Sequence, residues 1–219
     1  MTISVLLADD HSAIRSGLRL LLQNSDDITV VGEAGDGATA ISNARALRPD
    51  VVLMDIRMPG IDGVEATRAI RAEGLAEVLV LTTFGHDDVV FAALRAGAAG
   101  FLLKTAGAAQ LIDAVCRVSA GEGVLAPEVT RGLLDAFAQS KILEAAAPPA
   151  WLTSLTAREI DVLRGIAGGQ SNAEIARTLG ISTATAKTHV SRVLAKLECT
   201  SRMQAAILAR EAGLDTPTA

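Results

Sequence analysis

LMDIRMPG, residues 53–60, with Val51 and Val52 ahead of it, decides how the chain reads. An apolar run, Val51 to Met54, delivers the backbone to Asp55 and is cut off at once by Met58-Pro59-Gly60. A short run that is apolar throughout and bounded by turn residues is what a strand covered on both faces looks like. Runs of the same kind recur on either side: ISVLLA (3–8), ITVVGEA (28–34), EVLVLTT (77–83) and AGFLLK (99–104). Helical spacing fills the intervals, with Ile14, Leu18 and Leu21 behind Ser12 as N-cap, Val64, Thr67 and Ile70 behind Gly63, and Leu111, Val115 and Val118 on one face. Strand and helix in alternation predict an α/β domain, a five-stranded parallel sheet doubly wound by helices.

In such sheets chemistry gathers at the carboxyl ends of the strands. Asp9 and Asp10 follow the first strand, Asp55 the third, Thr82 ends the fourth and Lys104 the fifth, so all five converge on one rim. Three neighbouring carboxylates repel unless a cation stands among them, and hard oxygen ligands on loops suit Mg²⁺, which shares its shell with a phosphoryl group. Lys104 adds an ammonium that pairs with Asp55 or a phosphate oxygen, and Thr82 one hydroxyl. The pattern describes a site that places a phosphoryl group on Asp55. Taken singly, Asp10 ahead of Ser12 reads as a helix cap; five suitable residues at four strand ends are more than capping requires. Gly60 and Gly63 read as turn residues, GDG at 35–37 matches no phosphate-binding loop, and His11, His86 and His189 share no ligand spacing.

The net charge of −5 conceals a division. Residues 1–150 carry 12 Lys/Arg against 19 Asp/Glu, a net of −7, whereas residues 151–219 carry 8 against 6, a net of +2. Between them AAAPPA (145–150) forbids a continuing helix, which puts the boundary there. Three segments result: 1–118, a linker over 119–150 with a helix from Glu128 to about Ser140, and 151–219. No apolar run reaches the roughly 18 residues of a membrane span, and MTISVLLADD lacks the plan of a signal peptide, so a cytoplasmic protein with no membrane partner is expected. Cys116 and Cys199 stand far apart and read as packing residues.

From Leu155 the pattern turns all-α. TARE (156–159) and SNAE (171–174) are capping boxes that open two helices, the first stopping at Gly168-Gly169 and the second at Gly180. A third, capped by Ser182 or Thr183, carries the stripe Val190, Val193, Leu194 and Leu197, with Lys187, Thr188, Ser191, Arg192 and Lys196 outside it and no acid over 183–197. RMQAAILAREAGL (202–214) supplies the fourth. A helix, a tight glycine turn and a second helix with a basic, hydroxyl-rich face follow the logic of helix-turn-helix DNA binding. Lys187, Thr188 and Ser191 are placed to reach base edges, while His189, Arg192 and Lys196 suit phosphate or packing roles.

LADDHSAIR, VVLMDIRMPGIDG, VLTTF and ALRAGAAGFLLK resemble the receiver domain of two-component response regulators, a flavodoxin-like fold, and LTAREIDVL, GQSNAEIARTLGIS and TATAKTHVSRVLAKL resemble the LuxR/NarL-type helix-turn-helix. The resemblance implies that Asp55 accepts phosphate from a sensor histidine kinase and that Asp9, Asp10 and Asp55 gather Mg²⁺ with the Arg57 carbonyl. It further implies that Lys104 and Thr82 contact phosphoryl oxygens, and that Phe101 holds the place of the switch aromatic. It implies the fourth helix as a dimer surface, and since so small a basic surface binds DNA weakly as a monomer, a homodimer on phosphorylation that reads paired promoter half-sites is expected. Ala186 stands where Val is usual, which predicts a small gap costing on the order of 1 kcal/mol. Bulky Arg57 and Phe84 beside the site predict slow loss of the phosphate. Two other classes stand against this reading. A Mg²⁺-dependent phosphohydrolase with an aspartyl-phosphate needs a second acid two residues after the first, where this chain has Arg57; a regulator working without phosphorylation usually lacks the acidic pair or the lysine, and both are present.

Overall fold

The computed structural model describes residues 2–82, 87–125 and 150–214. Phe84, His86, the helix expected over 128–140 and most of the 145–150 boundary lie outside the described residues. The chain divides into two compact units, Met1–Ser140 and Lys141–Ala219.

The first unit holds a parallel sheet of order β2-β1-β3-β4-β5-β6, built from β1 (Ile3–Ala8), β2 (Ile28–Ala34), β3 (Val51–Asp55), β4 (Glu77–Thr82), β5 (Gly100–Leu103) and β6 (Val124–Leu125). Val5 to Leu7, Val51 to Met54 and Val78 to Val80 are fully buried, as runs apolar on both faces require. β2 departs from that expectation because it is the edge strand: Thr29 and Val31 face solvent, with Ile28 and Ala34 buried. β6, two residues beside β5, is too short to leave a pattern in sequence. Helices α1 (Ser12–Leu22), α2 (Gly37–Leu47), α3 (Gly63–Ala72), α4 (Asp87–Arg95) and α5 (Ala108–Ser119) wind the sheet on both sides. Leu18 and Leu22 of α1 meet Leu111, Val115 and Val118 of α5 and the side chains of Val5, Leu7, Leu53 and Leu79 in one core.

One helix start corrects the sequence reading and another adds to it. Ser12 is the first helical residue, not the cap; His11 holds that position without a side-chain cap bond, because its N–H donates to Asp9 Oδ1 at 2.9 Å and the acidic loop shapes the entry. GDG at 35–37 is a helix start, where Asp36 accepts from the Thr39 N–H at 2.8 Å.

In the second unit a 3-10 turn (Ala150–Ser154) precedes α6 (Ala157–Ala167), α7 (Asn172–Leu179), α8 (Thr183–Lys196) and α9 (Arg202–Glu211). The boxes Thr156/Glu159 and Ser171/Glu174 are formed, and Ser201/Gln204 makes a third that the sequence reading passed over, although its SxxQ spacing was there to see. Gly180, at φ +63°, turns α7 into α8 in the left-handed region that glycine enters at no steric cost. Leu155, Val162, Leu163, Ile166, Ile175, Val190 and Val193 form the core, with Ala186 fully enclosed among them.

Candidate functional site

Parallel register brings the ends of β1, β3, β4 and β5 to one rim of the first unit. Asp55, the last residue of β3, lies opposite Leu81, and Thr82, the last of β4, opposite Leu103. Lys104 follows directly, its backbone N–H donating to the Thr82 carbonyl at 2.8 Å. Its ammonium reaches across to Asp9 Oδ2 at 2.6 Å and Asp55 Oδ2 at 2.9 Å. Both carboxylates are buried, 1% and 7% exposed, so this cation compensates charge that water cannot. Burial pulls the ammonium toward losing its proton, but the hydrogen bonds to Asp9 and Asp55 outweigh it and hold the Lys104 pKa above its ordinary value.

The remaining oxygens are steadied by backbone. Asp55 Oδ1 accepts from the Ile56 N–H at 2.8 Å, and Arg15 holds the Asp9 carbonyl at 2.6 Å while also pairing with Glu33. Asp10 sits at the mouth, exposed, with His11 Nδ1 2.5 Å from its Oδ1. Ligand atoms of Asp9, Asp10 and His11 fall within 4.8 Å of one another, which sets beside the acidic pair a histidine left unassigned on its spacing to the other histidines. Asp55 joins them through Lys104, which stands between. Arg57 is exposed in the loop two residues on.

That loop is shaped by glycine. The Gly63 N–H donates to the Ile56 carbonyl at 2.8 Å, and a Cβ on Gly63 would collide with the Asp55 carbonyl oxygen. Gly63 therefore serves close approach as well as the turn, and the start of α3 presses against the strand that presents the carboxylate. Phe101 lies one strand further, fully buried on β5 opposite Val80.

The second unit offers a different surface. Lys187, Thr188, Ser191 and Arg192 are exposed along α8, and His189 is half-buried. The hydroxyls of Thr188 and Ser191 donate to the carbonyls of Ala184 and Lys187, each at 3.1 Å, which leaves their lone pairs facing outward. Lys196, also exposed, ties back to its own unit: its ammonium donates to Glu159 Oε2 at 2.7 Å and to the Ser154 carbonyl at 3.2 Å. Arg158 likewise bonds the Leu179 carbonyl, closing the far end of α7. These ties span too many residues for any local motif to announce them.

Glu159 shows what the Lys196 tie does. The Lys196 hydrogen bond, then that of the Thr156 N–H, bring its carboxyl from an ordinary 4.5 to about 2. A depressed folded-state value means that the contribution is complete above the unfolded value and is lost as pH falls through the folded one. Lys196→Ala is expected to move the Glu159 midpoint upward in an NMR pH titration, and the melting-temperature gap between variant and wild type is expected to close as pH drops toward 2. An unmoved midpoint would show that Lys196 does not set it. The thiols are held in the protonated form: burial pushes Cys199 up to about 11 and, with Asp27 and Asp113 adding, lifts Cys116 above its usual range.

Comparison with known proteins matches the two units separately and the chain as a whole. Residues 5–116 match the response regulator receiver domain, and residues 153–209 match the bacterial regulatory proteins of the luxR family. The transcriptional regulatory protein LiaR of Bacillus subtilis is 43% identical over 208 residues, 94% of this chain and 96% of its own. The response regulator protein VraR of Staphylococcus aureus is 43% identical over 210 residues, 95% and 97% of the two chains. Among solved structures, response regulator ChrA of a heme-sensing two-component system shares 43% identity with a TM-score of 0.55, covering 97% of this chain and 98% of its own. A structure of two RcsB dimers bound to two parallel DNAs shares 26% identity with a TM-score of 0.57, covering 96% and 99%.

Proposed function

The chain belongs to the two-component response regulators that join a receiver domain to a LuxR-family DNA-binding domain, and from that premise we propose that phosphorylation of Asp55 by a sensor histidine kinase controls its binding to promoter DNA. The observation that carries this reading is the Lys104 ammonium bridging Asp9 and Asp55 at the rim. One buried carboxylate is presented as nucleophile, one helps hold a cation, and the ammonium between them is ready to pair with an incoming phosphoryl oxygen. An Asp55 carboxylate oxygen attacks phosphorus, the bond to the donor's leaving atom breaks, and an acyl phosphate remains on Asp55. Thr82 donates its hydroxyl to a second phosphoryl oxygen.

The donor set fits Mg²⁺: Asp9, Asp10 and Asp55 supply carboxylate oxygens, and the Arg57 carbonyl lies on the same loop. When bound there, the ion neutralises the charge that accumulates between carboxylates and phosphate. Arg57, where an aspartyl-phosphate phosphohydrolase carries its second acid, fits a regulator with no external substrate. Among the described residues no helix is long and apolar enough to cross a membrane.

DNA is read by α8 in this proposal, with Lys187, Thr188 and Ser191 toward base edges and Arg192 toward phosphate. Dimers of RcsB bound to DNA lend weight to the expectation that this chain also works in pairs. Phosphorylation then shifts a monomer–dimer balance between states that already exist. Sedimentation with and without a small phosphodonor and Mg²⁺ tests this: the labelled protein is expected to double its sedimenting mass, and a labelled protein that stays monomeric would remove dimerisation as the switch.

A further inference from the structure

Arg202 opens α9, and its side chain reaches back to the start of α7. It is a cation only 7% exposed, and its guanidinium donates to Asn172 Oδ1 at 3.0 Å and to the Gln170 backbone carbonyl. Both acceptors flank the start of α7, some thirty residues earlier in the chain, and Asn172 is itself 7% exposed. A planar fork that grips a backbone carbonyl and a side-chain amide fixes direction as well as distance. Burying a cation is costly, so a bridge of this kind is weak evidence of added stability; what it does supply is a defined orientation.

That orientation matters because α7 and α8 form the helix pair in which the second reads DNA. Ser171 caps α7, Gly180 links it tightly to α8, and Arg158 of α6 ties its far end at Leu179. α7 is thus held at both ends by guanidinium groups from the two helices that frame it. We propose that Arg202 is a positioning residue for sequence-specific DNA recognition: by clamping the α6–α7 turn to α9 it sets the angle at which α8 enters the groove. Base-edge contacts need side chains placed to about 0.5 Å, whereas phosphate contacts tolerate several orientations. Loss of the clamp then degrades discrimination before it degrades binding. Arg202 is enclosed and its guanidinium is engaged within its own unit, which separates this role from that of a phosphate contact.

The inference rests on the second unit being the DNA-reading unit. Its test uses the full chain, titrated onto a duplex selected with the wild type and onto random-sequence duplex, at several salt concentrations. Arg202→Gln is expected to lose at least tenfold on the selected site, to stay within about twofold on random DNA and to keep the wild-type salt slope. Arg202→Lys restores part of the loss, since an ammonium reaches one carbonyl but not both in plane. Asn172→Ala, which leaves the guanidinium–carbonyl bond in place, is expected to fall between; it carries the test should Arg202→Gln fail to fold, as circular dichroism would show. A folded variant that keeps the wild-type ratio of selected to random binding, or that weakens on both equally, overturns the proposal. A wild type with no preference for any duplex overturns the DNA reading, and this inference with it.

Discussion

Asp55→Asn is expected to take up no label from a small phosphodonor such as acetyl phosphate, and the wild type to label at one site and only when Mg²⁺ is supplied. The amide keeps the shape of the carboxylate and its Oδ1 hydrogen bond from Ile56, but offers no anionic nucleophile. The metal requirement follows from charge. Asp9 and Asp55 are buried and share the single Lys104 ammonium, so an incoming phosphate meets net negative charge. One uncompensated pair of unit charges at about 4 Å costs roughly 4 kcal/mol in a medium of effective dielectric about 20. At about 1.4 kcal/mol per factor of ten, that slows transfer roughly a thousandfold. Labelling of Asp55→Asn at the wild-type level, or labelling indifferent to chelation, would place the acceptor elsewhere.

The second large effect concerns α8. Lys187→Ala is expected to lose about 1–3 kcal/mol on a selected site and to relax preference at the base it reads. Arg192→Ala is expected to weaken all sequences alike and to flatten the salt dependence by about one unit of slope. Thr188→Ala and Ser191→Ala should cost less, because both hydroxyls spend their protons on the helix's own carbonyls. A dimer favours half-sites roughly 10 bp apart. Titrations of both charge variants on selected and random duplexes decide the matter: specificity intact in Lys187→Ala means that this helix does not read bases through that residue.

The sequence carried these sites unevenly, for physical reasons. Val51 to Met54 is apolar on both faces because the strand is central, so its depth and the exit of Asp55 at the rim were both legible. Four-residue capping boxes fixed the starts of α6 and α7. β2 misled because an edge strand rich in valine has the composition of a buried one. Ser12 misled because a loop committed to holding Asp9 moved the helix entry by one residue. The Glu159–Lys196 and Arg202–Asn172 ties connect residues 37 and 30 positions apart, and nothing local records such meetings. Lys196, which suits a phosphate or packing role by sequence, is exposed and also bonded within its own unit.

The three capping boxes also bear on how the chain folds. Each helix start they define is encoded within four residues, whereas pairing β1 with β3 in the first unit brings together residues as far apart as Ser4 and Asp50, 46 positions. Low contact order favours rapid folding and long-range parallel pairing slows it, so the helical unit is the quicker to form. The two processes are optically separable. Trp151 is the only tryptophan, there is no tyrosine, and the indole packs against the helical core of the second unit. Intrinsic fluorescence of the intact protein therefore follows the DNA-binding unit alone, while the sheet folds out of its view.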